Sequence, residues 1–131
     1  MKDIKFRGFD KENNCWRYGF YTKMLEGARI FHAIIVEDES AEYRFTRWYI
    51  HNKKTISQFT GFQDKSGKDI YEGDIISSAK YMWKEKGEHQ VRPVFYKDGC
   101  FCIGRVALNI LFPQFYPEVI GNIHENKDLL K

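Results

Sequence analysis

Proline is scarce in this chain of 131 residues, with three in all, and there are ten glycines. That is too little of either for a low-complexity or disordered segment. Cysteine is equally scarce. Cys15, Cys100 and Cys102 make an odd number with no CxxC spacing, which argues against both a disulfide framework and a zinc site. Cys100 and Cys102 are two apart and would share one face of a strand, as small apolar residues of a reduced protein. No run of about 18 apolar residues exists, and no apolar leader follows Met1, so a soluble, cytoplasmic protein without membrane contact is expected. Nucleophile elbows, Gly-rich phosphate loops, HExxH and kinase signatures are missing. His32, His51, His89 and His124 lie far apart, with no pair at helix-face spacing. The expectation is therefore no enzyme, no cofactor and no metal.

Aromatic residues are abundant instead. The chain holds 3 Trp, 8 Tyr and 11 Phe, 17% of the sequence. Rings bury large areas, so one ordinary domain or two small lobes can have a real core at this length. A single small core would not hide all these rings. Leftover apolar patches mark interfaces, and a homo-oligomer is expected. The net charge of +3 is too small to argue for nucleic acid alone. Residues 1–55 carry 11 Lys/Arg against 8 Asp/Glu, and residues 56–131 carry 10 against 10, so the basic character lies in the first part.

The stretch 58–76 organises the chain. Asp64-Lys65-Ser66-Gly67 suits a type I turn followed by a left-handed glycine. Glu72-Gly73-Asp74 is a second breaker before the β-branched Ile75-Ile76. Both Gly67 and Gly73 are expected at positive φ. Upstream, residues 2–9 and 15–21 read as a hairpin around the polar turn 10–14, with Trp16, Tyr18 and Phe20 on one face. Lys23-Met24-Leu25-Glu26 has the composition of a helical turn ended by Gly27. Residues 30–36 read as a buried strand interrupted only by His32, residues 37–42 as an acidic solvated tip, and residues 43–50 as the next strand. Further on, strands are expected near 75–79, 90–96, 100–104 and 117–123. Pro93 suggests an edge or bulge, Lys97-Asp98-Gly99 a hairpin, and Asn126 a cap for a last turn docked by Leu129-Leu130. The fold class is mainly β, with an N-terminal β lobe over 1–55 packed on an SH3-like small barrel over 56–131.

Thr60-Gly61-Phe62, Asp64-Lys65-x-Gly67-Lys68 and Ile70-Tyr71-Glu72-Gly73-Asp74-Ile75-Ile76 together resemble the signature of the YopX family, small proteins encoded by phages and prophages. Lys5-Phe6-Arg7-Gly8-Phe9-Asp10-Lys11 is similar to the family's opening KFRAWDK, and residues 118–126 to its closing EVIGNIYEN. This chain has Gly8 for the usual Ala, Phe9 for Trp, His124 for Tyr, and Lys127 where Pro is common. The resemblance implies the β class for the C-terminal part and a bacterial host, but no reaction. The motif residues Thr60, Gly61, Asp64, Gly67, Ile70, Tyr71, Gly73, Asp74, Gly121 and Asn122 read as structural.

Two classes of function follow. The first is a non-enzymatic module binding a host or phage protein. The second is nucleic-acid binding through Arg44, Arg47, Trp48, His51, Lys53 and Lys54, where cations interleave with rings. Strict alternation places Arg44, Thr46 and Trp48 on one face and Phe45, Arg47, Tyr49 and His51 on the other. A bulge near Thr46-Arg47 would instead gather Tyr43, Phe45, Trp48 and Ile50 inside. The burial of four large side chains favours the bulge, and with it the protein-binding class. A small hydrolase using Asp69, Glu72 and Asp74 is a third and weaker class, because Asp74 also serves to order the turn at Gly73.

Overall fold

The structure, a computed structural model, describes residues 5–37, 45–78, 90–103, 106–108 and 117–130. It is mainly β, with two antiparallel sheets. Two compact units divide the chain, residues 1–59 and 60–131. The expected acidic tip at 37–42 lies, beyond Glu37, outside the described residues, as do 79–89 and 109–116.

The first unit holds β1 (Phe6–Asp10), β2 (Cys15–Glu26), β3 (Arg29–Glu37) and β4 (Phe45–Tyr49). A 3-10 turn (Lys53–Thr55) follows, and then β5 (Ser57–Gln63), which carries the chain into the second unit and β6 (Asp69–Tyr71). The sheet order is β4-β3-β2-β1-β5-β6. The polar turn between β1 and β2 forms as its composition demands. Asp10 accepts from the Asn13 backbone N–H at 3.2 Å, the Asn13 side chain at 2.8 Å and Arg17 Nε at 3.0 Å.

Strand β2 is longer than expected. Lys23-Met24-Leu25-Glu26 forms no helical turn and stays extended, paired residue by residue with Arg29–His32 across the turn at Gly27-Ala28. A four-residue helix has too few bonds to compete with a completed ladder. β3 is also less buried than its apolar run implies. Ala33 and Ile34 are fully buried, but Ile30 is 55% exposed near the hairpin tip. Strand β4 runs in continuous register, Ala33↔Tyr49 through Glu37↔Phe45, so the bulge expected near Thr46-Arg47 is absent. Trp48 needs no register shift to find cover, because the Arg17 guanidinium lies 3.5 Å from its ring centroid. A register irregularity sits instead in the second unit, between Val119 and Gly121.

The second unit holds β7 (Asp74–Ser78), β8 (Gln90–Lys97), β9 (Cys100–Ile103), β10 (Val106–Ala107) and β11 (Glu118–Asn122), in the order β10-β9-β8-β7-β11. All four strands expected after residue 74 are present. Ile70, Ile76, Val94, Ile103 and Leu108 form its core, with Phe62, Phe101 and Val119 against them. Pro93 is not on an edge strand. Gln90–Pro93 pairs with β7 and Val94–Lys97 with β9, so proline sits at the handover and takes no bond from the β9 ladder. Asp98 and Gly99 both have positive φ, 53° and 81°, as a two-residue hairpin of the I′ type requires. The terminal 3-10 turn (Lys127–Leu130) forms with Leu129 N–H donating to Asn126 O at 3.0 Å, although both leucines stay partly exposed.

Gly67 and Gly73 have φ of 84° and 87°, as the turn chemistry predicts. A Cβ at Gly67 would meet nothing within 4 Å, so the backbone angle alone sets the cost of substitution there. Gly67→Ala is expected to lose about 1 kcal/mol, read as a drop in urea midpoint at unchanged slope. A midpoint equal to wild type would show that the turn accepts a Cβ without strain.

Candidate interaction face of the first sheet

Alternation along β1–β4 sorts the first unit into two faces. Gly8, Ile34 and Ile50 meet on one, and all three are buried. The other collects rings. Cross-strand pairs Phe9↔Trp16 and Arg7↔Tyr18 lie at one end. Phe20↔Ile35↔Arg47 forms the next row, then Thr22↔Ala33↔Tyr49, then Met24↔Phe31. Phe9 and Trp16 meet edge to face at 5.3 Å, and Phe31 and Tyr49 at 5.5 Å. Three of these rings are substantially exposed: Tyr18 at 49%, Phe20 at 59% and Tyr49 at 39%.

Cations are interleaved with the rings. Arg7 lies 4.6 Å from the Trp16 centroid and donates from Nε to Ser57 Oγ at 3.2 Å. It is only 4% exposed, too buried for direct contact with a ligand. Lys5, one step before β1, sits 4.7 Å over the Phe59 ring, and its carbonyl accepts from Phe59 N–H at 2.8 Å. Arg47 Nη1 rests 3.5 Å from Met24 Sδ, and Arg29 stands at the hairpin end. Two acidic residues share this register, one at the hairpin end and one at the end of β3. Glu26 is opposite Arg29 and accepts from the Tyr49 hydroxyl at 3.3 Å; Glu37 holds the register position opposite Phe45.

Of the basic and aromatic residues proposed for nucleic acid, Arg47 and Trp48 lie within β4 and fall on opposite faces as alternation predicts. Arg47 joins the ring face. Trp48 lies on the opposite face, half-buried beneath Arg17. His51, Lys53 and Lys54 are exposed beyond the end of β4, where His51 Nε2 stands 3.4 Å from Glu12 Oε1. Arg44 lies outside the described residues. The five described residues do not form one surface. Tyr18, Phe20 and Lys5 were not singled out as a site. The period-two pattern of residues 16–20 marks the shared face, but the register that adds Tyr49, Arg47 and Lys5 is set by pairings between distant segments.

The family-motif residues sit in turns and strand ends of the second unit and at the start of β5–β6. Asp64 accepts from Ser66 N–H at 2.8 Å, Lys68 N–H at 2.9 Å and Val119 N–H at 3.0 Å. Burial pushes its carboxyl up, but these three donors and the Lys68 charge outweigh it and hold the group below the usual carboxylate range. Thr60 donates to Ile70 O at 2.7 Å. Asp74, fully buried, accepts from Tyr71 N–H at 2.8 Å and so orders the Gly73 turn. Asn122 accepts from His124 and Glu125 N–H at 3.0 and 2.9 Å, and its own N–H donates to Asn126 Oδ1 at 3.1 Å. Gly61 is at φ 90°, and Gly121 lies against Asn126. These contacts order turns and strand ends.

Asp69 accepts from the Gln63 amide at 3.2 Å, which leaves Asp69 and Asp74 in different environments, one half-exposed and one buried. Tyr21 Oη and His32 Nδ1 lie 2.6 Å apart with their rings stacked, so His32 has its partner within the sheet. His89 lies outside the described residues. Among the described residues, no group of three or more His, Cys, Asp or Glu side chains is placed to hold a metal ion, and no helix is long and apolar enough to cross a membrane.

A family model described as YopX protein matches residues 5–131. The chain is similar in structure to protein EF1440 from Enterococcus faecalis, known from a crystal structure. The two are 25% identical, the match covers 100% of each chain, and the TM-score is 0.58. Comparison with curated proteins gives no match.

Proposed function

The chain belongs to the YopX family, and on that footing we propose that it is a phage- or prophage-encoded, non-enzymatic interaction module that binds through the ring face of its first sheet. It acts in the cytoplasm of the bacterial host and self-associates, as its aromatic share implies. The five-stranded sheet is read as SH3-like on the strength of its order alone, and it serves as a companion to the binding sheet rather than as the binding surface. The observation that carries the proposal is the grouping of Tyr18, Phe20 and Tyr49, each more than a third exposed, on one face of one sheet. Scattered exposed rings need no explanation, but rings gathered on one face mark interaction sites.

The test compares wild type with Tyr18→Ser/Phe20→Ser/Tyr49→Ser, immobilised and challenged with bacterial lysate. Exposed substitutions of this kind change stability by only about 0.5 kcal/mol each, so the variant should fold. Wild type is expected to retain a ligand, protein or nucleic acid, that the variant loses. Equal retention by both would remove the ring face from the reading.

A further inference from the structure

The ring face also carries information on what it binds, and the step that follows rests on the reading just given. We infer that its ligand is single-stranded nucleic acid, with one base on each of Tyr18 and Phe20 and the phosphates between Lys5 and Arg47.

Charge comes first. Phe20 occupies a central strand. Its row runs to Ile35 and Arg47 on one side, and the next register position on β1's side is Lys5. Tyr18, two residues along, pairs with Arg7. Phe20 thus has Lys5 at the next register position on the side of the adjacent strand β1 and Arg47 two strands away, about 10 Å across the sheet, while Arg7 beside Tyr18 is too buried for direct contact. Of the acidic residues, Glu26 already has Arg29 opposite and the Tyr49 hydroxyl donating to it, and Glu37 ends β3 in the row that continues to Tyr18. Rings that accept a base of any sequence, with cations beside them to follow the backbone, are what a single-strand platform needs. The unbroken register of β4 matters here, because a bulge would have turned Arg47 away from this face.

Spacing comes next. Residues two apart on a strand are separated by about 6.6 Å. Nucleotides in a stacked strand rise about 3.4 Å each. A strand must therefore unstack to place one base on Tyr18 and the next on Phe20. A duplex, whose bases stay paired and stacked, gains nothing from these rings.

Size separates this ligand from a second copy of the chain. Taking about 200 Å² for a ring, Tyr18, Phe20 and Tyr49 together expose roughly 300 Å². A stable protein interface needs about 800 Å² from each partner. The three rings alone match the footprint of a few nucleotides, whereas a dimer through this face would draw more than half of its area from the residues around them.

The experiment is a fluorescence anisotropy titration of the full chain with labelled oligothymidine and with a duplex of equal length, at low and fourfold higher salt. Binding of the single strand in the micromolar range is expected, with little binding of the duplex. Two phosphate contacts predict a loss of about sevenfold over that salt step, from a slope of about −0.7 per contact. Phe20→Ser and Tyr18→Ser should each weaken binding at least about fivefold, the lower end for loss of one stacked base. Arg47→Gln should flatten the salt slope by about one contact. Circular dichroism of each variant establishes that it folds. No binding of the single strand at low salt, or equal binding of the duplex, overturns the inference. If ring-dependent capture of a protein from nuclease-treated lysate then persists, the interaction module stands and its ligand is a protein. If capture also fails, both fall. A dimer abolished by Phe20→Ser would show that the face is a self-interface and would equally overturn the assignment.

Discussion

Asp64→Ala is expected to destabilise the protein by about 3 kcal/mol or more, because hydrogen bonds to a charged group contribute about 1.5–3 kcal/mol each and three are lost together. The carboxylate ties its own turn, through Ser66 and Lys68, to the start of β11, through Val119. Ser66 and Lys68 are exposed, and water can replace part of what they lose. Val119 N–H is on a half-buried strand, where an unmade bond costs most. The effect should be largest in the second unit, as a fall in urea midpoint with little change of slope.

The same group sets a pH dependence. Its folded pKa is depressed below the ordinary 3.8, despite burial, by the backbone donors. A depressed carboxylate contributes stability that is fully present above its unfolded value and is lost as the pH falls through the folded one. Asp10 acts in the same direction in the first unit. The Asn13 side chain is the largest cause, opposed by burial and reinforced by Arg17. Stability should therefore be flat near neutrality and decline below about pH 4. Asp64→Asn should remove part of that decline while retaining some of the turn. An acid limb unchanged in Asp64→Asn would assign the pH dependence to other groups.

Where the chain was legible from its sequence, the signal was turn chemistry. Asp64 to Gly67, Gly73 and Asp98-Gly99 each require a backbone geometry that few residues supply, and the strands between them fall within a residue or two of their expected bounds. The first unit was harder because its decisive contacts are non-local. Lys23-Met24-Leu25-Glu26 has good helix formers, and only pairing with Arg29–His32 makes it a strand. A bulge in β4 would have gathered Tyr43, Phe45, Trp48 and Ile50 inside, but Trp48 finds cover without one, under a guanidinium from β2. Trp16, Tyr18 and Phe20 share a face as alternation says they must. The pairing of β1 with β5 and of β3 with β4, which completes that face with Lys5, Phe59, Arg47 and Tyr49, leaves no trace in any short window.

Gly19 tests that sheet most severely, since it lies between Tyr18 and Phe20 on β2. A Cβ placed there would come within 2.2 Å of the Ile35 carbonyl oxygen and 3.1 Å of its carbon, with Ile34 Cγ2 at 3.3 Å. The obstacle is backbone of the adjacent strand, so no side chain can turn aside to make room. Either β2 and β3 separate locally, losing the Phe20↔Ile35 pair, or the whole register shifts and the faces exchange residues. Overpacking a core ordinarily costs about 1–3 kcal/mol, and a clash with ladder backbone should sit at or above the top of that range. Gly19→Ala is thus expected to cost about 3 kcal/mol or more, against about 1 kcal/mol for the open turn at Gly67. Hydrogen exchange should locate the damage, with amides of Tyr18–Thr22 and Ala33–Ile35 exchanging faster while Ile75–Ser77 and Val94–Phe101 change least. Oligonucleotide binding should fall with the first group, because Tyr18 and Phe20 are held in place by the strand that Gly19 allows to pack. A Gly19→Ala protein as stable as wild type, with β2 and β3 equally protected, would show that the two strands do not approach as closely as this packing requires.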